Sequence, residues 1–240
     1  MTNQEYHNNP AVSRSGIIKL LRSPAHYKTK TETTRAMEIG TAVHSKILEG
    51  RADYVVSPFD SFRSKEAREW REAQTEIVLN DTEAAQIEAM ESAVNNHRGA
   101  MKLLCEGVAE QTYFFTEPHT GVKCKVRPDW ITPDGFLVDL KTTNDASESG
   151  FKKSVYSFRY DIQTAFYLDG VEYATGQRPK GFIFINVEKF EPFGVSLFQL
   201  NDDWIESARF EYIEALERFK TCEASNHWPA YSEKIQTLLK

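Results

Sequence analysis

The sequence predicts an α/β fold in which a mixed central β-sheet is flanked by helices and the N-terminal half is helical. Three observations predict it. Apolar residues recur every three or four positions in most segments up to residue 106, which is the period of an amphipathic helix. Near Gly107 the period changes to two, as in strands. Three strands, a helix, two strands and a final helix then follow, an order typical of α/β domains.

The composition is that of one globular domain. The chain has 240 residues, of which 40% are hydrophobic and 27% are charged, so it is long enough to bury a sizeable core. We predict a single domain over residues 1–240, with a mainly helical part at 1–106, a sheet core at 107–220 and a C-terminal tail at 221–240.

Charge and cysteine content exclude several classes of function. Asp and Glu outnumber Lys and Arg by 35 to 29, for a net charge of −6, so a polyanion would need a local basic patch. The three cysteines form no C-x-x-C pair, which fits a reducing cytoplasm and supplies neither a disulfide framework nor a zinc site. No Gly-Lys pair occurs, so a P-loop is absent. No run approaches the roughly 18 apolar residues of a membrane span, and we expect a cytoplasmic protein without a membrane partner.

The N-terminal half carries helix start and stop signals. Ser13 begins a short helix that Ser23-Pro24 ends, and Gly50 ends a helix over 35–49. The charged run 64–72 is either a solvated helix or a mobile loop, and a long helix follows from Asp81. The helix over 35–49 has an apolar stripe formed by Met37, Gly40, Val43, Ile47 and Leu48. The stripe of the helix from Asp81 is formed by Ile87, Met90, Val94, His97, Met101 and Leu104.

The second half alternates in the manner of strands. Strands are predicted at 108–115, 122–131, 136–141, 181–187 and 193–200, and helices at 160–174 and 202–220. Turns at 116–121 and 132–135 join the first three strands.

Two carboxylates and one ammonium group lie on neighbouring predicted strands. Alternation places Asp139 and Lys141 on one face and Leu140 on the other. If the charged face of the preceding strand coincides with it, Asp129 converges on them. Two carboxylates and a backbone carbonyl suit Mg²⁺ or Mn²⁺, and a lysine can orient or deprotonate a bound water. By itself the same pattern also fits a solvated salt bridge on a strand face.

Five short motifs occur along the chain in one order. The first consists of Ser13, Ser15, Leu20, Ser23, Pro24, His26 and Tyr27, the second runs from Gly40 to His44, and the third is Glu110. The fourth comprises Asp129, Asp139 and Lys141 in the segments KVRPDWI and DLKTT, and the fifth is the pair Gln163 and Tyr167. With these motifs the chain resembles the RecB-like branch of the PD-(D/E)XK nucleases and, within it, the RecE-type exonuclease VIII group. The resemblance covers nearly the whole length and implies a PD-(D/E)XK nuclease-like fold.

The resemblance implies a role for each matching residue. Asp129, Asp139, the Leu140 carbonyl and His44 would bind metal, and Glu110 would lie near the site and bind the metal through water. Lys141 would attend the attacking water. Gln163 and Tyr167 would contact substrate or brace Lys141, and Thr142 and Thr143 could touch phosphate. Some of these residues also have a purely structural alternative. His44 could pack against the core, Glu110 could be a surface residue, and Gln163 with Tyr167 could be a pair that caps the sheet.

The implied function is a Mg²⁺- or Mn²⁺-dependent exonuclease. It would degrade linear double-stranded DNA from its ends, mainly 5′ to 3′, and leave a 3′ single strand for a single-strand annealing protein in phage or prophage recombination. Members often form ring-shaped homo-oligomers, here a trimer or tetramer. Such a ring would let an acidic protein bind DNA through basic residues on its inside, namely Lys123, Lys125, Arg127, Lys152 and Lys153.

Three alternatives stay open from the sequence. A structure- or site-specific endonuclease could use the same fold, and a non-catalytic DNA-end-binding module could retain it. A metabolic metalloenzyme would need a phosphate or cofactor loop that we do not find. Iron–sulfur members of the branch are disfavoured because Cys105, Cys124 and Cys222 do not cluster. The segment 57–72 matches no motif and could be a lid, a subunit contact or a disordered loop.

Overall fold

A computed structural model describes residues 1, 3–59 and 61–237. The helices are α1 (Asn3–Asn8), α2 (Arg14–Arg22), α3 (Pro24–Tyr27), α4 (Arg35–Leu48), α5 (Lys65–Glu72), α6 (Asp81–Asn96), α7 (Arg98–Leu104), α8 (Glu148–Phe158), α9 (Tyr160–Thr175) and α10 (Asp202–Ser225). The strands are β1 (Tyr54–Val56), β2 (Ile77–Leu79), β3 (Val108–Ala109), β4 (Tyr113–Thr116), β5 (Lys123–Val126), β6 (Trp130–Ile131), β7 (Phe136–Thr143), β8 (Gly181–Glu188) and β9 (Val195–Phe198).

The central sheet is mixed, as the sequence predicts. Its order is β3-β6-β7-β8-β9, in which only β7 and β8 run parallel. The parallel pair is possible because α8 and α9 form the long crossover between its strands. Two small sheets accompany it, a parallel β1-β2 pair and an antiparallel β4-β5 hairpin. The predicted α/β class with helices flanking a mixed sheet is confirmed.

The central sheet separates two hydrophobic cores. Alternation along β7 sends Leu137 into one core, with α2, α9 and α10, and Val138 into the other, with α4 and α6. Both cores therefore combine residues from the N-terminal helices with residues from the sheet. Within the described residues, no helix combines the length and apolarity that crossing a membrane requires.

Two details of the predicted helices are wrong. The long helix from Asp81 is two helices, because His97 has an extended backbone and its Nδ1 accepts a hydrogen bond from the Ala100 N–H at 3.1 Å. His97 thus caps α7 instead of joining an apolar stripe. Met37 does not join the stripe of α4, since 49% of its surface is exposed. The charged run at 64–72 is a helix capped by Ser64.

Two long predicted strands are each divided. Glu110 has a φ of 52° and separates β3 from β4. Pro128, which cannot donate to a ladder, follows β5, so β5 and β6 belong to different sheets. The short strands β1 and β2 and the helix α8 were not predicted. The two strands have only 3 residues each, too few for an alternating pattern to stand out, whereas α8 carries Phe151, Val155 and Phe158 at helical spacing.

Candidate active site

Asp129 links the bend after β5 to the centre of the sheet. Its Oδ2 accepts a hydrogen bond from the backbone N–H of Leu140 at 2.9 Å. Its own carbonyl accepts from the N–H of Glu110 at 3.0 Å. Because Pro128 interrupts the strand, Asp129 reaches β7 through its side chain and not through strand alternation. The bend therefore brings Glu110, Asp129 and Leu140 together.

Asp139 and Lys141 lie on one face of β7, as alternation predicts. Lys141 Nζ forms an ion pair with Asp139 Oδ2, and Gln163 Nε2 donates to Asp139 Oδ1. Asp139 is fully buried, so both carboxylate oxygens are held by partners inside the protein. The Lys141 ammonium also lies 5.0 Å from the centre of the Tyr160 ring, a cation–π contact.

Lys141 remains charged in this environment. Burial lowers the pKa of its ammonium group, but the Asp139 and Asp129 carboxylates outweigh burial and place the pKa above its ordinary value. A protonated lysine has three donors and no acceptor. In this charge state Lys141 can donate to a water or an anion and so orient it.

His44, Glu110 and Asp129 form a cluster of potential metal ligands. One ligand atom from each lies within 4.8 Å of the others. His44 reaches the cluster from α4, because its neighbours Ala42 and Val43 are buried in the second core. Its Nδ1 lies 3.5 Å from Asp129 Oδ2, and its Nε2 is 2.7 Å from the Leu140 carbonyl oxygen.

The carboxylates of this cluster are crowded. Burial, followed by the nearby Asp129 charge, raises the pKa of Glu110 to about 7. Burial and the charge of Asp139 raise the pKa of Asp129 as well. A divalent cation would relieve this repulsion, and carboxylate oxygens, a carbonyl and an imidazole without a thiolate suit Mg²⁺ or Mn²⁺. The residues present thus fit such an ion.

Comparison with known proteins identifies the family. The model of a family described as a PDDEXK-like domain of unknown function, DUF3799, matches residues 13–240. The chain belongs to this family. The resemblance to PD-(D/E)XK nucleases that the sequence motifs indicate is thereby confirmed. Among curated proteins, none matches the DUF3799 chain.

A solved structure with a TM-score above 0.5 shows the same fold. A candidate exonuclease from Eubacterium rectale is 18% identical, with 98% of this chain and 96% of that one covered and a TM-score of 0.68. A phage-related exonuclease from Haemophilus somnus 129PT is 11% identical, with 93% of this chain and 99% of that one covered and a TM-score of 0.41. An alkaline exonuclease from Laribacter hongkongensis is 10% identical, with 90% of this chain and 92% of that one covered and a TM-score of 0.34.

Gln163 and Tyr167, the two residues of the predicted helical motif, contact different groups. Gln163 holds Asp139, not Lys141. The Tyr167 ring packs edge-on against Phe182 with centroids 5.9 Å apart, and burial raises the pKa of its hydroxyl. The aromatic ring against Lys141 is that of Tyr160. Sequence reasoning missed Tyr160, although it precedes Gln163 by one helical turn and so shares its face.

Two of the predicted DNA-binding residues are buried in the DUF3799 chain. Lys125 is 4% exposed, and its Nζ donates to the carbonyl oxygens of Tyr6 and Asn9. Arg127 is 8% exposed, lies over the Tyr6 ring at 4.2 Å and donates to the Thr112 hydroxyl at 2.7 Å. The prediction that Lys125 and Arg127 face DNA is therefore wrong: they hold α1 against the hairpin.

The remaining predicted contacts lie at accessible positions. Lys123, Lys152 and Lys153 are exposed, and Thr142 and Thr143 at the end of β7 are half-buried. Both threonines line a small pocket that also contains Lys141. Thr142 is thus close to the proposed centre, whereas Lys123 lies on the separate hairpin.

Proposed function

We propose that this chain is a divalent-metal-dependent exodeoxyribonuclease of the RecE type, which degrades linear double-stranded DNA from its ends. The observation that carries the proposal is the pairing of Asp139 with Lys141 beside the cluster of His44, Glu110 and Asp129. Membership of a PDDEXK-like family supports it. An isolated surface salt bridge would need neither a buried aspartate nor a second cluster of ligands.

His44, Glu110 and Asp129 would hold Mg²⁺ or Mn²⁺, with the Leu140 carbonyl and Asp139 as further ligands. When bound, the ion lowers the pKa of a coordinated water and offsets negative charge on the scissile phosphate. The crowding that raises the pKa values of Glu110 and Asp129 supports this ligand set.

The protein's own groups would position the reactants. Lys141, held protonated by Asp139, donates to the attacking water or to a phosphate oxygen and stabilises charge that develops there. Gln163 fixes the Asp139 carboxylate that holds Lys141. Tyr160 packs against the ammonium and limits the directions in which it can donate.

Polarity, product and assembly extend the same proposal. Following the family resemblance, digestion proceeds 5′ to 3′ and leaves a 3′ single strand for a single-strand annealing protein. A ring-shaped trimer or tetramer would keep hold of the DNA. Of the five basic residues predicted for its inner surface, Lys123, Lys152 and Lys153 are exposed, whereas Lys125 and Arg127 are buried.

A linear duplex labelled at one 5′ end, compared with a matched closed circle, tests the proposal. Wild type and Lys141→Ala are incubated with Mg²⁺ or with EDTA. We expect Mg²⁺-dependent loss of the linear duplex, an intact circle and no cleavage by the variant, and early release of the 5′ label would give the polarity. Cutting of the circle would favour an endonuclease instead. Binding without cleavage would favour an end-binding module.

A further inference from the structure

A small pocket of about 290 Å³ opens beside Lys141, on the face of the sheet covered by α8 and α9. Three lysines line it (Lys141, Lys153 and Lys189) against one aspartate, Asp145. Lys141 is already paired with Asp139. Lys153 and Lys189 form no ion pair within 4 Å among the described residues, and they leave the pocket with an excess of positive charge.

The floor of the pocket contains a buried amide. Asn186 on β8 pairs in register with Lys141 on β7, and neighbours in register on parallel strands project to the same face. Asn186 is 1% exposed, and in the part of the chain that the structure describes its Nδ2 has no hydrogen-bond partner. A buried amide without a partner is costly, and an acceptor that enters the pocket would remove this cost.

The acceptor that fits is an anionic oxygen. The amide nitrogen of Asn186 can only donate hydrogen bonds, and three lysines line the same pocket. A phosphate oxygen accepts hydrogen bonds and carries negative charge, so it suits both the amide and the lysines. At about 290 Å³ the pocket lies at the small end of ligand pockets, which suits a sugar–phosphate unit of one strand and not a duplex. The ammonium groups of its lysines and the Asn186 amide would bind the sugar–phosphate backbone, whose phosphate oxygens accept hydrogen bonds, and not the base.

We propose that Asn186 is a DNA-contacting residue, whose side-chain amide donates to a phosphate oxygen of the strand held beside Lys141. Lys153 and Lys189 at the rim bind the same phosphate or its neighbour. This inference rests on the proposed function, since it takes DNA as the substrate. The phosphate is either an internal phosphodiester or the terminal 5′-phosphate, and the experiment separates them.

One internal partner competes with DNA for this amide. Ser196 on β9 is the register neighbour of Asn186, and its Oγ is also buried without a hydrogen-bond partner among the described residues. If the two side chains pair with each other in solution, Asn186 stabilises the sheet and has no role in binding. Removing the amide would then lower the melting temperature and leave phosphate recognition unchanged.

The test is a binding experiment without cleavage. Short duplexes each carry one methylphosphonate in place of a phosphate near a labelled end, in versions with a 5′-phosphate and a 5′-hydroxyl. Affinities are measured by fluorescence anisotropy in EDTA, and a gel verifies that the DNA is intact. Wild type is compared with Asn186→Leu, which replaces the amide by an apolar group of similar size. Asn186→Ala is used instead if the Asn186→Leu protein does not fold. Asn96→Leu, on the exposed end of α6, is the matched control.

We expect one position at which the modification weakens wild-type binding by roughly tenfold or more. In the Asn186 variants that penalty should be smaller by about threefold or more, with the other positions unchanged and the melting temperature equal or higher. The position identifies the phosphate as internal or terminal. Equal penalties in variant and wild type at every position, or a lower melting temperature with no position-specific change, would overturn the inference. Wild type that binds no DNA in EDTA and also leaves the linear duplex intact with Mg²⁺ would instead refute the proposed function.

Discussion

Gln163 on α9 donates a hydrogen bond from Nε2 to Oδ1 of Asp139, which lies on the neighbouring strand β7. The other oxygen of the same carboxylate faces the Lys141 ammonium. Asp139 is fully buried, and these two partners fix the orientation of its carboxylate. A helix of the covering layer therefore sets the geometry of the central ion pair, which makes Gln163 a positioning residue.

Replacing Gln163 by Leu should lower kcat for a linear duplex by about 10- to 100-fold, as removal of such an orienting partner typically does. Without the donated hydrogen bond, Asp139 can rotate away from Lys141. The measurement is steady-state cleavage over a range of Mg²⁺ concentrations. Gln177→Leu, on an exposed residue just beyond α9, is the control. An unchanged kcat would show that Asp139 does not depend on this contact.

Loss of Lys141 should affect stability as well as cleavage. Lys141→Met leaves the buried Asp139 charge unpaired, and breaking a buried pair in this way costs about 3–5 kcal/mol of unfolding free energy. The double variant Asp139→Asn with Lys141→Met removes both charges and should regain most of that stability but no activity. Urea unfolding and cleavage of the linear duplex measure the two effects separately. Equal stability of single and double variants would contradict the ion pair.

The sequence predicts the centre of the sheet better than its edges. Alternation along 136–141 places Asp139 and Lys141 on one face and Leu140 on the other, since a buried strand tolerates only one register. The approach of Asp129 to Leu140 depends on the bend at Pro128 and on a side-chain contact, for which local pattern gives no signal. The burial of Lys125 depends on α1, which lies more than 100 residues away along the chain. Long-range contacts of this kind override strand alternation.

Glu110 should make the metal-free protein less stable as the pH rises. Its pKa in the folded protein is about 7, against an ordinary value of 4.5. A raised pKa means that the folded state binds this proton more tightly than the unfolded state. Its stabilising effect is therefore complete below about pH 4.5 and lost as the pH rises through about 7. Glu110→Gln, which stays neutral, should melt at a higher temperature than wild type at pH 8 in EDTA.

Metal should reduce this difference in melting temperature. Thermal melts at pH 5 and pH 8, each with EDTA or Mg²⁺, measure it, with Glu206→Gln on the exposed face of α10 as control. Mg²⁺ should raise the melting temperature of wild type at pH 8 and raise that of Glu110→Gln less, because the variant has lost a charged ligand. Identical Mg²⁺ effects on both proteins would remove Glu110 from the ligand set.

Two lysines on the same strand should behave in opposite ways. Lys125 is buried and donates to the carbonyl oxygens of Tyr6 and Asn9, so Lys125→Met should cost about 1–3 kcal/mol of unfolding free energy with the salt dependence of DNA binding unchanged. Lys123 is exposed, so Lys123→Met should retain stability and reduce the salt slope of binding by about 1 if it contacts a phosphate. Urea unfolding and DNA titrations at several salt concentrations provide both numbers. A reduced salt slope for Lys125→Met at normal stability would return that lysine to the DNA surface, because a charge confined to the interior releases no counterions when DNA binds.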